Sequence, residues 1–211
     1  MTETVAGTFR LFDTSIVSDA LDDHGIDGVI TGIEPAHTSQ RAVGRAYTMR
    51  FERVDEPGET NFPFAMLHEL AADRVLAIDG VGPDLSCWGG NASRLAANAG
   101  VSGVVVNGGY RDVPEIREGG FPVFARGPTP KTGQRRVTVE GVGEPIEVDG
   151  VTVAPGDVIV ADATGVVVVP ADEAAAVAET AESILGEELL LEAKIDAGAT
   201  VADLERDGHA F

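Results

Sequence analysis

Residues 84–131 read DLSCWGGNASRLAANAGVSGVVVNGGYRDVPEIREGGFPVFARGPTPK, and their alternation of glycine turns, a small-residue helix and an apolar run decides the fold. The turn Cys87-Trp88-Gly89-Gly90-Asn91 predicts the opening of a helix that runs to about Ala99, where Gly100 stops it. Val101 to Val106 is continuous, rich in β-branched residues and too short for a helix, which predicts a strand buried on both faces. That strand leads into Asn107-Gly108-Gly109-Tyr110-Arg111-Asp112.

In an open α/β sheet, ligands settle beyond the carboxyl ends of the strands, where loops are held by a rigid frame. Arg111 and Asp112 fall at such an end. Glycines 108 and 109 let the backbone turn sharply and let another group approach closely. The turn at 89–91 puts free backbone N–H groups at a helix start, which suits a carboxylate or a phosphate. These residues make either a local ion pair beside a capped helix or a site for a small acid plus a metal.

Working outward, Asp13-Thr14-Ser15 has N-cap chemistry and begins a helix over 13–24, with Ile16, Val17, Ala20 and Leu21 at helical spacing. Strands are expected over 29–34 and 42–51, a loop over 55–61, and a helix over 64–72 with Met66, Leu67 and Leu70 inward. Residues 75–80 read as a buried strand ending at Asp79, which would stand at the same sheet edge as Arg111, in position to support the site. Past the central stretch come a short helix at 114–118 and a strand at 121–125, with Arg126 leading into a rigid Pro-rich loop that would bring it near the site. Strands follow at 137–142, 146–153, 158–161 and 166–169, broken by the turns Asp149-Gly150 and Pro155-Gly156. A C-terminal helix of about 171–197 carries Ala178, Ala181, Leu185 and Leu189 on one face and leads into a short tail. Neither an internal repeat nor a low-complexity linker interrupts the chain, so residues 1–211 read as a single α/β domain.

Thirty-five acidic residues against fifteen basic ones give a formal charge of −20, spread over the chain rather than gathered in a tail. Such a surface repels phosphates and opposes binding to nucleic acid or to an anionic membrane. The scarcity of lysine, only Lys131 and Lys194, fits a halophilic protein whose self-repulsion is screened by salt. Cys87 is the single cysteine and has no partner for an internal disulfide; it reads as a small buried residue in a cytoplasmic protein. The opening MTETVAGTFRLF lacks a basic lead and a long apolar region, so no signal peptide is expected, and no apolar run is long enough for a membrane helix.

Several ordered motifs carry a family likeness: Ser15 to Leu21, Gly44-Arg45-Ala46-Tyr47-Thr48, Gly89-Gly90 followed by twenty residues and Arg111-Asp112, Gly119 to Gly127, and Pro155-Gly156-Asp157 through Asp162. Over nearly its full length the chain resembles the RraA-like family, which contains regulators of ribonuclease E and 4-hydroxy-4-methyl-2-oxoglutarate aldolases. The resemblance implies a layered sheet-and-helix domain like the swivelling phosphohistidine-type domain, and a homotrimer or hexamer with sites at subunit interfaces. It implies that Asp112 is the metal ligand, directly or through a water, that Arg111 binds a small keto-acid substrate, and that the backbone of Gly89, Gly90, Asn91 and Ala92 holds its carboxylate. The reaction so implied is metal-dependent release of pyruvate, with oxaloacetate decarboxylation by the same electron sink. One departure stands out: the aldolases of the family carry an acidic residue where this chain has Gly90, and Asp79, Asp84 and Asn91 are the candidates to compensate.

The residues agree with that chemistry on their own terms. Cleavage beside a keto group needs an electron sink, either a lysine Schiff base or a divalent metal. Lys131 lies in a proline-rich loop and Lys194 near the end of a solvated helix, which disfavours the Schiff base. His24, His37, His68 and His209 show no metal-ligand spacing, which leaves a hard cation, magnesium or manganese, held by a carboxylate, waters and substrate. The competing class is a non-catalytic regulator that masks a protein partner's basic surface with its own negative charge. Methyl transfer is disfavoured, because no glycine fingerprint for a methyl donor is present.

Overall fold

The computed structural model describes residues 5–54, 66–67 and 73–207. The helices Val5–Thr8 (α1) and Thr14–Asp23 (α2) precede two very short strands, Val29–Ile30 (β1) and Glu34–Pro35 (β2). Ala42–Arg53 (β3), Arg74–Trp88 (β4), helix Gly90–Asn98 (α3), Gly103–Tyr110 (β5), helix Val113–Gly119 (α4) and Val123–Pro128 (β6) form the centre. There follow Val137–Val142 (β7), the hairpin Ile146–Val148 (β8) and Val151–Val153 (β9), then Val158–Ala161 (β10), Val166–Val169 (β11), and the helices Ala174–Asp196 (α5) and Val201–Arg206 (α6).

The main sheet runs β1-β11-β10-β3-β4-β5-β6-β2, with β7 also pairing to β3. Its centre, β3 to β6, is parallel, and its flanks are antiparallel. The two ends of this order, β1 and β2, are almost consecutive in sequence. From Ile30 to Glu34 the chain can span no more than about 14 Å. The sheet must therefore curl until its first and last strands nearly meet. One apolar cluster, with Val75, Ala77, Val105, Phe124 and Ile159, lies on the inward face under the β8–β9 hairpin. A second packs α1, α2 and α5 against β10 and β11, and a third packs α3 and α4 over β4 and β5. The result is a mixed α/β single-domain fold with one large sheet and helices outside it.

Strand β5 is buried on both faces along most of its length, as its composition predicts, but it continues through Gly108 and Gly109 to Tyr110. Strand β4 likewise passes Asp79 and continues to Trp88, through repeated register shifts against β5. Asp79 is therefore not at the strand end. It accepts a hydrogen bond from Asn107 Nδ2 at 3.2 Å and faces Arg50, away from Arg111. Arg126 is also displaced from its expected place: it donates to Asn107 Oδ1 at 3.0 Å and to the carbonyl of Thr31 at 2.9 Å, so it ties β5 and β6 to the link between β1 and β2.

The strand expected over 29–34 is two separate pieces, because one must end a sheet that the other begins. Helix α5 starts at Ala174, later than expected, and its apolar face is covered only at the front: Ala178 and Ala181 are buried, whereas Leu189 is exposed. The tail beyond it forms α6, with Thr200 and Asp203 making a reciprocal capping box. The loop at 55–61 and most of the helix expected over 64–72, with Leu70, lie outside the described residues, as do His68 and His209. Among the described residues, no helix is long and apolar enough to cross a membrane.

Asp162, between β10 and β11, anchors the start of α2. It accepts hydrogen bonds from the Thr14 backbone at 2.9 Å, the Thr14 hydroxyl at 2.7 Å and the Thr164 backbone at 2.9 Å. Burial alone would raise its pKa, but the bonds from Thr14 and Thr164, with the charge of Arg41, together hold it below the usual carboxylate value. A depressed carboxylate adds stability above its unfolded pKa, about 3.9, and that contribution is lost as pH falls through the folded value. Asp162→Asn is expected to lower unfolding stability by about 1–3 kcal/mol at neutral pH. In urea titrations the gap to the parent should narrow below about pH 3.9; a gap independent of pH would contradict this.

Candidate active site

The expected site begins where β4 and β5 end side by side, with Trp88 paired to Tyr110. Gly109 makes this approach close. A Cβ there would lie 2.7 Å from the Leu85 carbonyl oxygen and 2.8 Å from that of Pro83, so only glycine fits against the neighbouring backbone. The Arg111 N–H then donates to the Trp88 carbonyl at 3.1 Å, fixing the point at which the chain leaves the sheet. Asp112 follows in the left-handed region (φ 60°) as the N-cap of α4. That non-glycine strain turns its carboxylate back toward the start of α3.

Asp112 Oδ2 accepts the Gly90 N–H at 3.0 Å and lies 3.5 Å from Arg111 Nε. Gly89 is extended, and a Cβ on it would come within 2.8 Å of the same oxygen. The first turn of a helix leaves its N–H groups without intrahelical partners. Gly90 gives its own to Asp112, which leaves those of Asn91 and Ala92. Behind them the frame is closed by hydrogen bonds. Trp88 Nε1 donates to Ser93 Oγ at 2.8 Å, Ser93 Oγ donates to the Gly89 carbonyl at 3.1 Å, and Ser86 Oγ donates to the Trp88 carbonyl at 2.8 Å. Among the described residues, every buried side-chain nitrogen and oxygen has a partner.

Gly89, Asn91, Ala92, Arg111 and Asp112 thus line one cleft of about 320 Å³, while Gly90, bonded to Asp112, is the one expected site residue that does not line it. The opposite side of the cleft is formed by Phe51, Val137 and the segment Thr132-Gly133-Gln134. That segment is held by Ser86, whose N–H donates to the Lys131 carbonyl at 2.9 Å and whose carbonyl accepts the Gly133 N–H at 3.0 Å. Cys87 lies in the wall, and burial pushes its thiol pKa up, so it is a neutral apolar group there.

Gly90 faces away from the cleft, toward Glu115. A Cβ on Gly90 would lie 2.5 Å from Glu115 Oε2, so the Glu115 carboxylate fills the space a side chain at 90 would take. Of the three residues expected to compensate for Gly90, Asn91 alone lines the cleft. Asp84 pairs with Arg53 instead, and Asp79 with Arg50. Glu115, Ser86 and Ser93 were not legible as site residues, although Ser93 four positions after Gly89 is a spacing that returns a hydroxyl to a helix start.

Among the described residues, no three His, Cys, Asp or Glu side chains converge on a point. A single open carboxylate does fit a hard divalent cation that keeps most of its waters, and does not fit zinc. Asp112 Oδ2 is engaged by Gly90, and Oδ1 is the oxygen left for such an ion.

A mixed sheet whose parallel centre ends at a cleft defines an α/β protein, and comparison makes the class specific. The family model described as RraA-like, Aldolase/RraA, matches residues 14–168. The chain belongs to the RraA-like family. It is 33% identical over 194 residues to protein DlpA of Legionella pneumophila, covering 90% of this chain but only 31% of that protein's length. It is 35% identical over 166 residues to a Burkholderia mallei protein named "Putative 4-hydroxy-4-methyl-2-oxoglutarate aldolase", covering 75% of this chain and 95% of that one. The crystal structure of Streptomyces coelicolor RraAS2, an unusual member of the RNase ES inhibitor RraA protein family, superposes with a TM-score of 0.83 at 26% identity, covering 90% of this chain and 97% of that chain.

The close approach at Gly109 yields a direct test. Gly109→Ala is expected to cost about 1–3 kcal/mol in urea unfolding, because backbone oxygens on β4 cannot yield as a side chain would; a variant as stable as the parent would show that the strands separate without cost.

Proposed function

We propose that this protein is a divalent-metal-dependent lyase that cleaves a small 4-hydroxy-2-oxo acid of the 4-hydroxy-4-methyl-2-oxoglutarate type to pyruvate, and decarboxylates oxaloacetate. The observation that carries this reading is the cleft between the amide-lined start of α3 and the Arg111–Asp112 pair. Asn91 and Ala92 offer backbone N–H groups to the substrate's carboxylate, Gly89 leaves room for the Asp112 carboxylate beside that helix start, and Gly90 gives its N–H to the same carboxylate. The Arg111 guanidinium, paired only loosely with Asp112, offers forked donors to the carboxylate and the 2-oxo oxygen. Asp112 would hold magnesium or manganese through its remaining oxygen. The ion would act as a Lewis acid toward the negative charge that develops when the C3–C4 bond breaks. Arg111 opposes the same charge from the protein side, and the dry wall of Trp88, Cys87 and Val137 strengthens that attraction by excluding water.

We also propose that residues 1–211 are one RraA-like domain related to the swivelling phosphohistidine-type domain, and that it assembles as a homotrimer or hexamer in the cytoplasm of a salt-adapted cell. A second reading is a non-catalytic regulator of the RraA kind, binding a ribonuclease or another protein. It is supported by the likeness to the Streptomyces inhibitor-family structure and by the charge of −20, which suits a basic partner surface.

Pyruvate release in a coupled assay, with magnesium or manganese and then with chelator, separates the two readings. Arg111→Ala and Asp112→Ala should each reduce metal-dependent turnover by at least about a hundredfold, in line with the loss of one charge-stabilising group. Both variants should keep the parent's circular dichroism. Full turnover in both would remove the assignment, and no turnover in the parent would favour the regulator.

A further inference from the structure

The rim of the sheet opposite the cleft carries a second pocket, of about 320 Å³. It lies where parallel strands begin: Gln40 and Arg41 lead into β3, and Gly120 and Pro122 lead into β6. His37, Arg41 and Arg117 line it, and no carboxylate of the described residues does. In a chain with thirty-five acidic residues against fifteen basic ones, most lysines and arginines sit in ion pairs. Arg41 and Arg117 form none among the described residues, although the charge of Arg41 reaches Asp162.

The backbone tethers each of the three. Arg117 Nε donates to the Ala36 carbonyl at 2.9 Å, which leaves both terminal nitrogens of its guanidinium for a ligand. Arg41 Nη2 donates to the carbonyls of Phe9 and Phe12, which leaves Nη1 and Nε. The Ser39 N–H donates to His37 Nδ1 at 3.2 Å, so that nitrogen is an acceptor and the ring N–H is at Nε2. Donors tethered in this way lose little freedom when an anion arrives. Two guanidinium forks and a ring N–H offer more than a planar carboxylate takes at once, whereas a tetrahedral phosphate accepts from several directions.

We propose that this pocket binds a single phosphate group, either free or as the head of a small phosphomonoester. The site stands apart from the lyase reading and from the Arg111 cleft. A lone phosphate comes within reach of the two arginines only, whereas an extended polyanion such as nucleic acid must also lie along a surface that carries a charge of −20.

The test is calorimetric titration of the intact protein, in its native assembly, with inorganic phosphate, glycerol 3-phosphate and acetate. Ionic strength is held fixed, so that screening does not enter the comparison. The expected result is saturable binding of a phosphate, at least about tenfold tighter than acetate and at least about tenfold weaker in Arg117→Gln, the scale of a lost hydrogen bond to a charged group. Arg117→Lys, which keeps the charge without the fork, should fall between the two. Arg111→Ala, which removes the arginine of the cleft, should keep the parent's affinity. Tighter binding of inorganic phosphate or of glycerol 3-phosphate names the source and upholds the site. Acetate binding as tight as phosphate overturns phosphate as the ligand. Parental affinity in Arg117→Gln, or its loss in Arg111→Ala, moves the phosphate to the cleft and overturns the site. Absence of binding by the parent overturns it as well, and dissociation of the assembly by Arg117→Glu would then give the pocket to a carboxylate of a neighbouring copy.

Discussion

The first and last strands of the main sheet belong to one short piece of chain, Val29 to Pro35, and this connection constrains everything else. A flat sheet of this width would hold its edges far apart, since neighbouring strands are about 4.8 Å from one another. The sheet therefore curls, and the right-handed twist of its strands makes that curl natural. Curling gives the sheet an inside, filled by aliphatic side chains from alternate positions, and an outside, on which the helices lie. It also explains Arg126. Its guanidinium reaches the Thr31 carbonyl and Asp149 across the place where the edges come together, so it closes the sheet.

With the inside filled by side chains, the cleft lies on the outer rim, at the carboxyl ends of the parallel strands. There β4 and β5 run past their regular pairing into an irregular stretch, where backbone contacts backbone and glycine is required. The irregularity is productive in a structural sense. It lets Arg111 and Asp112 emerge beside the start of α3 rather than above the sheet, and the left-handed Asp112 then directs its carboxylate into the Gly90 amide. Hydrogen bonds through Ser86, Trp88 and Ser93 brace the start of α3, and the Ser86 backbone joins it to Lys131 and Gly133 on the opposite side of the cleft.

Most elements were legible from residue order because their signals are local. Asp13 caps α2 by accepting the Ile16 N–H at 2.9 Å, Gly100 ends α3 with φ 78°, and the valine runs form β10 and β11. The misreadings share a cause. Asp79 and Arg126 look like strand-end residues beside the site, but Asn107 draws both onto one row of the opposite sheet face. Side-chain parity along irregular strands decides that, and parity depends on bulges that no spacing rule reveals. Leu189 shares a face of α5 with Ala178, Ala181 and Leu185 yet is exposed, since nothing in its own helix specifies where the domain surface ends.

The sequence by itself determined the family-bearing stretch, the pairing of a glycine-opened helix with an Arg-Asp strand end, the charge, and the order of the elements, because hydrophobic period, capping and turn chemistry act between near neighbours. Only the tertiary structure decided that Glu115 fills the place beside Gly90, that Phe51, Val137 and Gln134 face Arg111 across the cleft, and that Asp79 and Arg126 do not. Those contacts join residues far apart in the chain, and they are set by the closure of the curled sheet, which depends on the packing of all its strands at once.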